Sequence, residues 1–238
     1  MRINLEKCIA CTECVPYCPA GAIIPTGNKF MVDEDRCVEC YACLRAEICP
    51  VNALEKVPLD WPRILRHAFS SVRAVHESLG IYGGRGSEGM NTNDMTGRFR
   101  HGEAGFIVDV GRPGVGTTFE DIEKISMAVA KVGVEFEQMN PITKLMADKT
   151  IGRLRDDIKM ERIRSCELEF KAKETKVLPI IDTLKEVSKV VNTVFSVGCI
   201  SRCKPDGTIP IKTVLDEAGI FYRPNCKTNI GLGCPLAP

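Results

Sequence analysis

Histidine is scarce: only three occur in 238 residues, at His67, His76 and His101, in unrelated contexts. No Ser–His–acid or Cys–His–Asn set assembles around them, so nucleophilic catalysis of that type has no candidate centre. No stretch of 18 apolar residues occurs, which removes a membrane-spanning helix. No segment of signal-peptide character precedes the first motif. Charge of one sign is lacking as well: 32 lysines plus arginines against 31 aspartates plus glutamates leave a formal net charge of +1. Such a balance creates no field for nucleic acid or an anionic membrane surface. Gly83-Gly84-Arg85-Gly86 is neither a P-loop nor a G-x-G-x-x-G dinucleotide turn.

Cysteine, by contrast, is abundant. The chain has 13, and eight fall between residues 8 and 54 in two similar runs. The first reads Cys8-x2-Cys11-x2-Cys14-x3-Cys18-Pro19, and the second Cys37-x2-Cys40-x2-Cys43-x5-Cys49-Pro50. Three thiolates at steps of three wrap one cluster, and the fourth, before proline, lies too far along to close the same site comfortably. This spacing holds [4Fe–4S] clusters, the fourth cysteine of each run serving the other run's cluster. Two alternatives compete. Zinc takes four ligands, usually as two separated pairs, and a disulfide framework belongs to secreted chains. The spacing favours clusters over both.

In these residues the sequence resembles the bacterial-type ferredoxin family with two [4Fe–4S] clusters. The resemblance covers residues 1–57 and extends to Cys18-Pro19-Ala20-Gly21-Ala22-Ile23 and Cys49-Pro50-Val51-Asn52-Ala53-Leu54. It implies that Cys8, Cys11, Cys14 and Cys49 bind one cluster, and Cys37, Cys40, Cys43 and Cys18 the other. The chain departs from the family at Cys43-x5-Cys49, where two extra residues within Ala46, Glu47 and Ile48 are expected to bulge outward. A change in the surroundings of one cluster would separate the two potentials. Tyr17 and Tyr41, one in each run, are expected to pack on cluster faces. Ile9, Val15, Ile23, Val38, Leu44, Ile48 and Leu54 would keep water from the sulfurs.

Residues 58–80 read as a connecting helix. Asp60 is the candidate N-cap and Gly80 the stop. Trp61, Leu65, Ala68, Phe69, Val72, Val75 and Leu79 form one apolar stripe at helical spacing, with Arg63, Arg66, His67 and Arg73 mostly off it. Aromatic and arginine side chains suit an interface, so the stripe is expected to dock the N-terminal module on the next domain or another chain. Residues 81–105, rich in glycine and polar residues, read as a linker or a partner-binding loop. Arg85, Arg98, Arg100 and His101 there would meet an anion.

From residue 106 a pattern occurs twice. A strand over 106–110, a helix over 119–132 with Ile122, Ile125, Val129 and Val132 inward, and a strand over 134–137 come first. After a polar, partly helical insertion follow a strand over 166–170, a helix over 176–190 and a strand over 193–197. The second helix turns Leu178, Ile181, Leu184 and Val187 inward. The fold class is therefore α+β: a two-cluster ferredoxin module at 1–57, the connecting helix, the glycine-rich stretch, and a ferredoxin-like (split β-α-β) sandwich over 106–238. The turn Gly111-Arg112-Pro113-Gly114-Val115-Gly116-Thr117-Thr118 has two readings. It is a tight strand-to-helix turn capped by Thr118 with Asp121 or Thr117 with Glu120, or an anion-binding loop with Arg112 beside it.

The last forty residues hold Cys199, Cys203, Cys226 and Cys234 in a Gly- and Pro-rich run. Four soft ligands suit a third metal centre, either [4Fe–4S] or tetrahedral zinc. Separate buried cysteines and disulfide chemistry are the other readings. Cys166, inside a strand, reads as a small core residue. Taken together, the sequence predicts an iron–sulfur electron-transfer subunit of an oxidoreductase complex, in a reducing, oxygen-poor cytoplasm. Its partners would be other protein subunits, with neither nucleic acid nor a membrane span involved. Two alternatives remain: a self-contained iron–sulfur reductase with its site in the second domain, and a redox-responsive binding or assembly protein.

Overall fold

The computed structural model describes residues 1–72, 74–76, 81–82 and 97–223. β1 (Arg2–Ile3) opens the chain, β2 (Ile23–Thr26) and β3 (Lys29–Val32) form a hairpin, and α1 (Ala42–Arg45) makes a single turn. β4 (Leu54–Glu55) then returns to pair antiparallel with β1. The hairpin turns on Gly27-Asn28, with Gly27 at φ +58°, a left-handed conformation that matches the twist of the flanking strands. Met1, Ile3, Ala22, Ile23, Val32, Ala53 and Leu54 gather with the cysteines into one small core.

The connecting helix is shorter than its periodicity predicts. α2 spans Ile64–Ser70, and Ser71 is already extended at φ −99°, ψ 125°. β5 (Val75–His76) then pairs with β6 (Ile81–Tyr82), so Val75 and His76, within the expected helix, are strand. Tertiary partners claim the serines that end it: the Ser70 hydroxyl accepts from the Arg164 amide, and Ser71 meets Arg45. Asp60 is not the cap, since its side chain makes no capping bond and the N-cap position falls to Arg63. Gly80 and Leu79 lie outside the described residues. The stripe is also cut down. Leu65, Ala68 and Phe69 are buried in the larger core, whereas Trp61 and Val72 are exposed.

The larger core is built on a four-stranded sheet. Its contributors, in chain order, are β7 (Glu103–Val110), β8 (Thr117–Thr118), α3 (Phe119–Val132), β9 (Glu135–Phe136) and α4 (Pro141–Lys144). β10 (Met146–Asp148), β11 (Arg153–Leu154), β12 (Arg162–Ile163), β13 (Cys166–Lys173), α5 (Val177–Val187), β14 (Phe195–Ser201) and α6 (Pro210–Glu217) follow. Strand order in the sheet is β14–β7–β13–β9, and every neighbouring pair is antiparallel. Alternation decides the buried face: Ala104, Phe106, Val108 and Val110 on β7 stand opposite Ala172, Phe170, Leu168 and Cys166 on β13. Phe106 and Phe170 stack across the strands, their ring centroids 5.3 Å apart. Such cross-strand aromatic pairs stabilise a register, because a one-residue slip would turn every apolar side chain outward.

α3 runs over the predicted residues. The Thr118 hydroxyl accepts from the Asp121 amide at 3.2 Å, and Gly133 ends the helix at φ +80°. Ile122, Ile125 and Val129 are buried as expected. On α5 the buried face is Val177, Ile180, Leu184 and Val187, so the predicted stripe starts one position off. The insertion between β9 and β13 is less polar in packing than in composition: Ile142, Leu154, Ile158 and Ile163 are fully buried.

Candidate metal centre

The two cysteine runs fold as copies of one design. Asn4 precedes the first, and its side-chain oxygen accepts from the amides of Glu6 and Lys7. Asp33 precedes the second and accepts from the amides of Asp35 and Arg36. The Cys8 amide donates to the Asn4 carbonyl and the Cys37 amide to the Asp33 carbonyl, both at 3.0 Å. Within the loops, Ala10 and Thr12 correspond to Glu39 and Tyr41, and all four residues have φ between 51° and 67°. After the fourth cysteines, the Ala22 amide donates to Cys18 Sγ at 3.1 Å and the Ala53 amide to Cys49 Sγ at 3.2 Å. Bonds of this kind stabilise a thiolate and are among the levers on cluster potential.

Two hollows result, and each draws on both runs. One, with about 320 Å³ of empty space, is lined by Cys8, Cys11, Cys14 and Cys49 together with Ile3, Ile9, Phe30, Val51 and Leu54. The other, about 340 Å³, is lined by Cys18, Cys37, Cys40 and Cys43 with Tyr17, Ile23, Val32, Val38 and Tyr41. Both tyrosines therefore border the second hollow; the first has Phe30 instead. Among the described residues no group of three or more His, Cys, Asp or Glu side chains is placed to hold a single metal ion. Four thiols spread around a hollow fit a polynuclear iron–sulfur cluster, whose corners separate its ligands more widely than one ion does.

Cys14, Cys37 and Cys43 resist ionisation. Burial pushes Cys43 up to about 12, and the neighbouring Cys40, Cys18 and Cys37 add to the effect. Burial also pushes Cys37 up to about 11, with Glu39 adding to it. Cys14 is raised by burial, and among its neighbours Cys11, Cys49 and Cys8 act in the same direction. A bound cation reverses this balance, because metal coordination deprotonates a thiol outright.

The hollows differ in exposure. Cys37, Cys40 and Cys43 are buried, whereas Cys11 is exposed. At matching positions Ile9 is 61% exposed and Val38 3%. Of the residues expected to screen the sulfurs, Ile23, Val38 and Leu54 are buried, while Val15, Leu44 and Ile48 are half-buried. The two-residue insertion does more than bulge. In the first run Val15–Tyr17 forms a 3-10 turn; in the second the extra length completes an α-turn, with the Ala46 amide donating to Ala42 and Glu47 left-handed beyond it.

Glu39 carries no signal of a functional role in the cysteine spacing alone. It is fully buried between Cys37 and Cys40, with the Met1 ammonium 2.6 Å from Oε2 and Arg63 Nη2 2.7 Å from Oε1. His67 Nδ1 lies 2.7 Å from its backbone carbonyl. Arg66, expected off the packed face, is buried: its Nη1 donates to the carbonyls of Glu34 and Cys37, and its Nε to Glu161. The available signal for Glu39 was a carboxylate placed between cysteines where the first run has Ala10.

A 4Fe-4S binding domain matches residues 1–24. A ferredoxin-like protein from the vnf region of Azotobacter chroococcum is 37% identical over 65 residues, covering 25% of this chain and 95% of that protein. Through its N-terminal quarter, the chain belongs to the bacterial-type ferredoxin family. The ferredoxin module is also 45% identical over 56 residues to the pyruvate synthase subunit PorD of Methanocaldococcus jannaschii, covering 23% of this chain and 63% of that subunit. It is 44% identical over 48 residues to one subunit of the ion-translocating oxidoreductase complex of Methanosarcina acetivorans, covering 20% of this chain and 17% of that protein. The chain thus spans less than two thirds of those two subunits. No solved structure matches it significantly. The N-terminal quarter is thus of ferredoxin type, and no helix among the described residues is long and apolar enough to cross a membrane.

The other predicted sites fare unevenly. Arg112 is occupied internally: it donates to the Gly111 carbonyl and to Ser196, and it pairs with Asp109. Asp121 fills the field at the start of α3, accepting from the Asn192 amide and from Lys124. The Gly111–Thr118 turn is therefore a structural turn, with Gly111 left-handed where an added Cβ would meet the Arg164 carbonyl at 2.6 Å. Arg98 pairs with Glu137, and Arg85 lies outside the described residues. Cys166 is a buried core residue. Cys199 is half-buried on β14 and Cys203 is exposed; Cys226 and Cys234 lie outside the described residues.

Proposed function

We propose that the chain is the electron-transfer subunit of a cytoplasmic, multi-subunit oxidoreductase and carries two [4Fe–4S] clusters. Cys8, Cys11, Cys14 and Cys49 hold one, and Cys18, Cys37, Cys40 and Cys43 hold the other. The observation that supports this most is the lining of the hollows, each of which takes three cysteines from one run and the fourth from the other. When bound, such clusters accept and release single electrons. The protein's own part is to supply thiolates, to aim the Ala22 and Ala53 amides at sulfur, and to hold water away with Ile23, Val38 and Leu54. Relatives named as subunits of a pyruvate synthase and of an ion-translocating oxidoreductase support the assignment to a larger assembly.

The remainder of the chain belongs to the same proposal. Residues 106–238 read as a split β-α-β sandwich, supported by the antiparallel order β14–β7–β13–β9 with α3 after β7 and α5 after β13. Such a scaffold implies no reaction by itself. α2 serves as the bracket between this unit and the module at 1–57. A third centre at Cys199, Cys203, Cys226 and Cys234 remains a separate part of the proposal.

Purification of the full chain without oxygen, followed by iron, zinc and acid-labile sulfide analysis, tests the reading. About eight irons and eight sulfides per chain are expected from two clusters, and about twelve of each if the third centre is also a cluster. Zinc without sulfide overturns the proposal. Native mass spectrometry of the protein isolated from its own cells is expected to find further subunits, and a chain that runs alone overturns the subunit assignment.

A further inference from the structure

The duplicated runs provide an internal comparison. Apart from the longer turn before Cys49, the backbone of residues 4–22 repeats in residues 33–53: the Asn4 and Asp33 turns, the left-handed pairs, and the amide-to-sulfur bonds all recur. At the third position of each run the side chains differ in charge. Ala10 in the first run has none, while Glu39 in the second is a carboxylate 0% exposed. A buried carboxylate requires a partner, and Arg63 provides it with Nε at 3.1 Å and Nη2 at 2.7 Å from Oε1. Arg63 stands at the start of α2, whose Leu65 and Phe69 are packed in the larger core.

We propose that Glu39 and Arg63 are positioning residues that set the reduction potential of the centre at Cys18, Cys37, Cys40 and Cys43 apart from that of its twin. This rests on the two-cluster reading above. The reasoning is electrostatic. Adding an electron to a cluster places one more negative charge beside the buried Cys37, Cys40 and Cys43, where nearby fixed charges are less screened than in water. Glu39 opposes that charge and Arg63 favours it. No charged side chain occupies the matching position, Ala10, of the first run, and Ile9 and Cys11 there are open to solvent. Arg63 also stands at the start of the helix that packs into the larger core, so the docking of the second unit holds Arg63 in place and bears directly on one centre.

The test is a potentiometric titration of the anaerobically purified full chain, each centre followed by its paramagnetic resonance signal. Glu39→Gln removes the opposing charge. It is expected to raise one centre's ratio of reduced to oxidised protein at least tenfold at fixed ambient potential, equal to about 59 mV for a one-electron couple. Arg63→Gln is expected to lower the same ratio by a similar factor, and Arg63→Lys to leave it within about threefold, since the positive charge is kept. The second signal should move less than threefold throughout. Two unmoved signals, or two that move together, overturn the proposal. If Glu39→Gln fails to take up iron, Arg63→Gln decides alone by the same criteria. Wild-type protein without iron and sulfide would instead overturn the two-cluster reading on which the proposal rests.

Discussion

Arg66 Nε donates to Glu161 Oε2 at 2.5 Å, a contact that joins the ferredoxin module to the sheet unit through a single guanidinium. The same side chain holds the carbonyls of Glu34 and Cys37 at 2.7 and 3.0 Å. A planar fork with several fixed donors meets three acceptors at once, which an ammonium on a flexible stem does poorly. The loop that begins the second cysteine run is thereby anchored from outside its own module. A backbone bond from Gly114 to the Pro19 carbonyl, beside Cys18, adds a second link.

Removing that anchor should cost stability. Arg66→Ala leaves Glu161 and two carbonyls without their donor, and the loss is expected to be about 3 kcal/mol, as for a broken buried ion pair. Arg66→Lys is expected to recover less than half of it. Urea unfolding followed by circular dichroism measures both. A change below about 1 kcal/mol for the alanine variant would mean that solvent replaces the contacts.

Phe69 and Trp61 should separate cleanly. Phe69 is 2% exposed and meets Phe119 edge-on at 5.6 Å, so Phe69→Ala is expected to cost about 3–5 kcal/mol by cavity formation. Trp61 is 38% exposed and donates to Asp157, and Trp61→Ser is expected to cost about 1 kcal/mol or less. Release of another subunit by Phe69→Ala without a loss of the chain's own stability would restore the stripe as an intermolecular surface.

Serine at Cys49 should damage the centre of the opposite run. Cys49→Ser is expected to give the same residual resonance signal as Cys11→Ser, and Cys18→Ser the same as Cys40→Ser. Iron content should fall toward half in each variant. If Cys49→Ser instead matches Cys40→Ser, each run closes its own site and the cross-run assignment is wrong.

With no metal bound at the C-terminal cysteines, Cys199 should behave as a protonated thiol. Burial pushes it up to about 12 from an ordinary value of 9.0. Below pH 9 folded and unfolded chains both keep the proton. Between pH 9 and about 12 the unfolded chain releases it while the folded chain does not, so stability falls by up to about 1.4 kcal/mol per pH unit. Wild-type protein is expected to lose stability over that window faster than Cys199→Ala. Near neutral pH, iodoacetamide should modify exposed Cys203 well before Cys199, because the thiolate is the nucleophile. Equal rates would show that Cys199 is neither shielded nor raised.

Local chemistry made much of this protein legible from its residues. The cysteine steps of three, the Thr118 cap, the Gly133 stop and the alternation along β7 and β13 each act over a few neighbours, so their meaning survives without knowledge of the fold. The sequence determined in this way the two cysteine runs and the positions of α3 and the principal strands. Other features depend on groups far apart in the chain. The 58–80 stripe had helical spacing, yet Ser70 and Ser71 are engaged by Arg164 and Arg45, and the chain turns extended there. Arg66 falls off the apolar stripe by spacing but is buried because Cys37 and Glu161 supply its partners. Glu39 read as one more charge among 31 acidic residues; its burial follows from Arg63 and Met1, 24 and 38 positions away. The tertiary structure decided which charges lost their water, because desolvation is set by everything packed around a group and not by its neighbours in sequence.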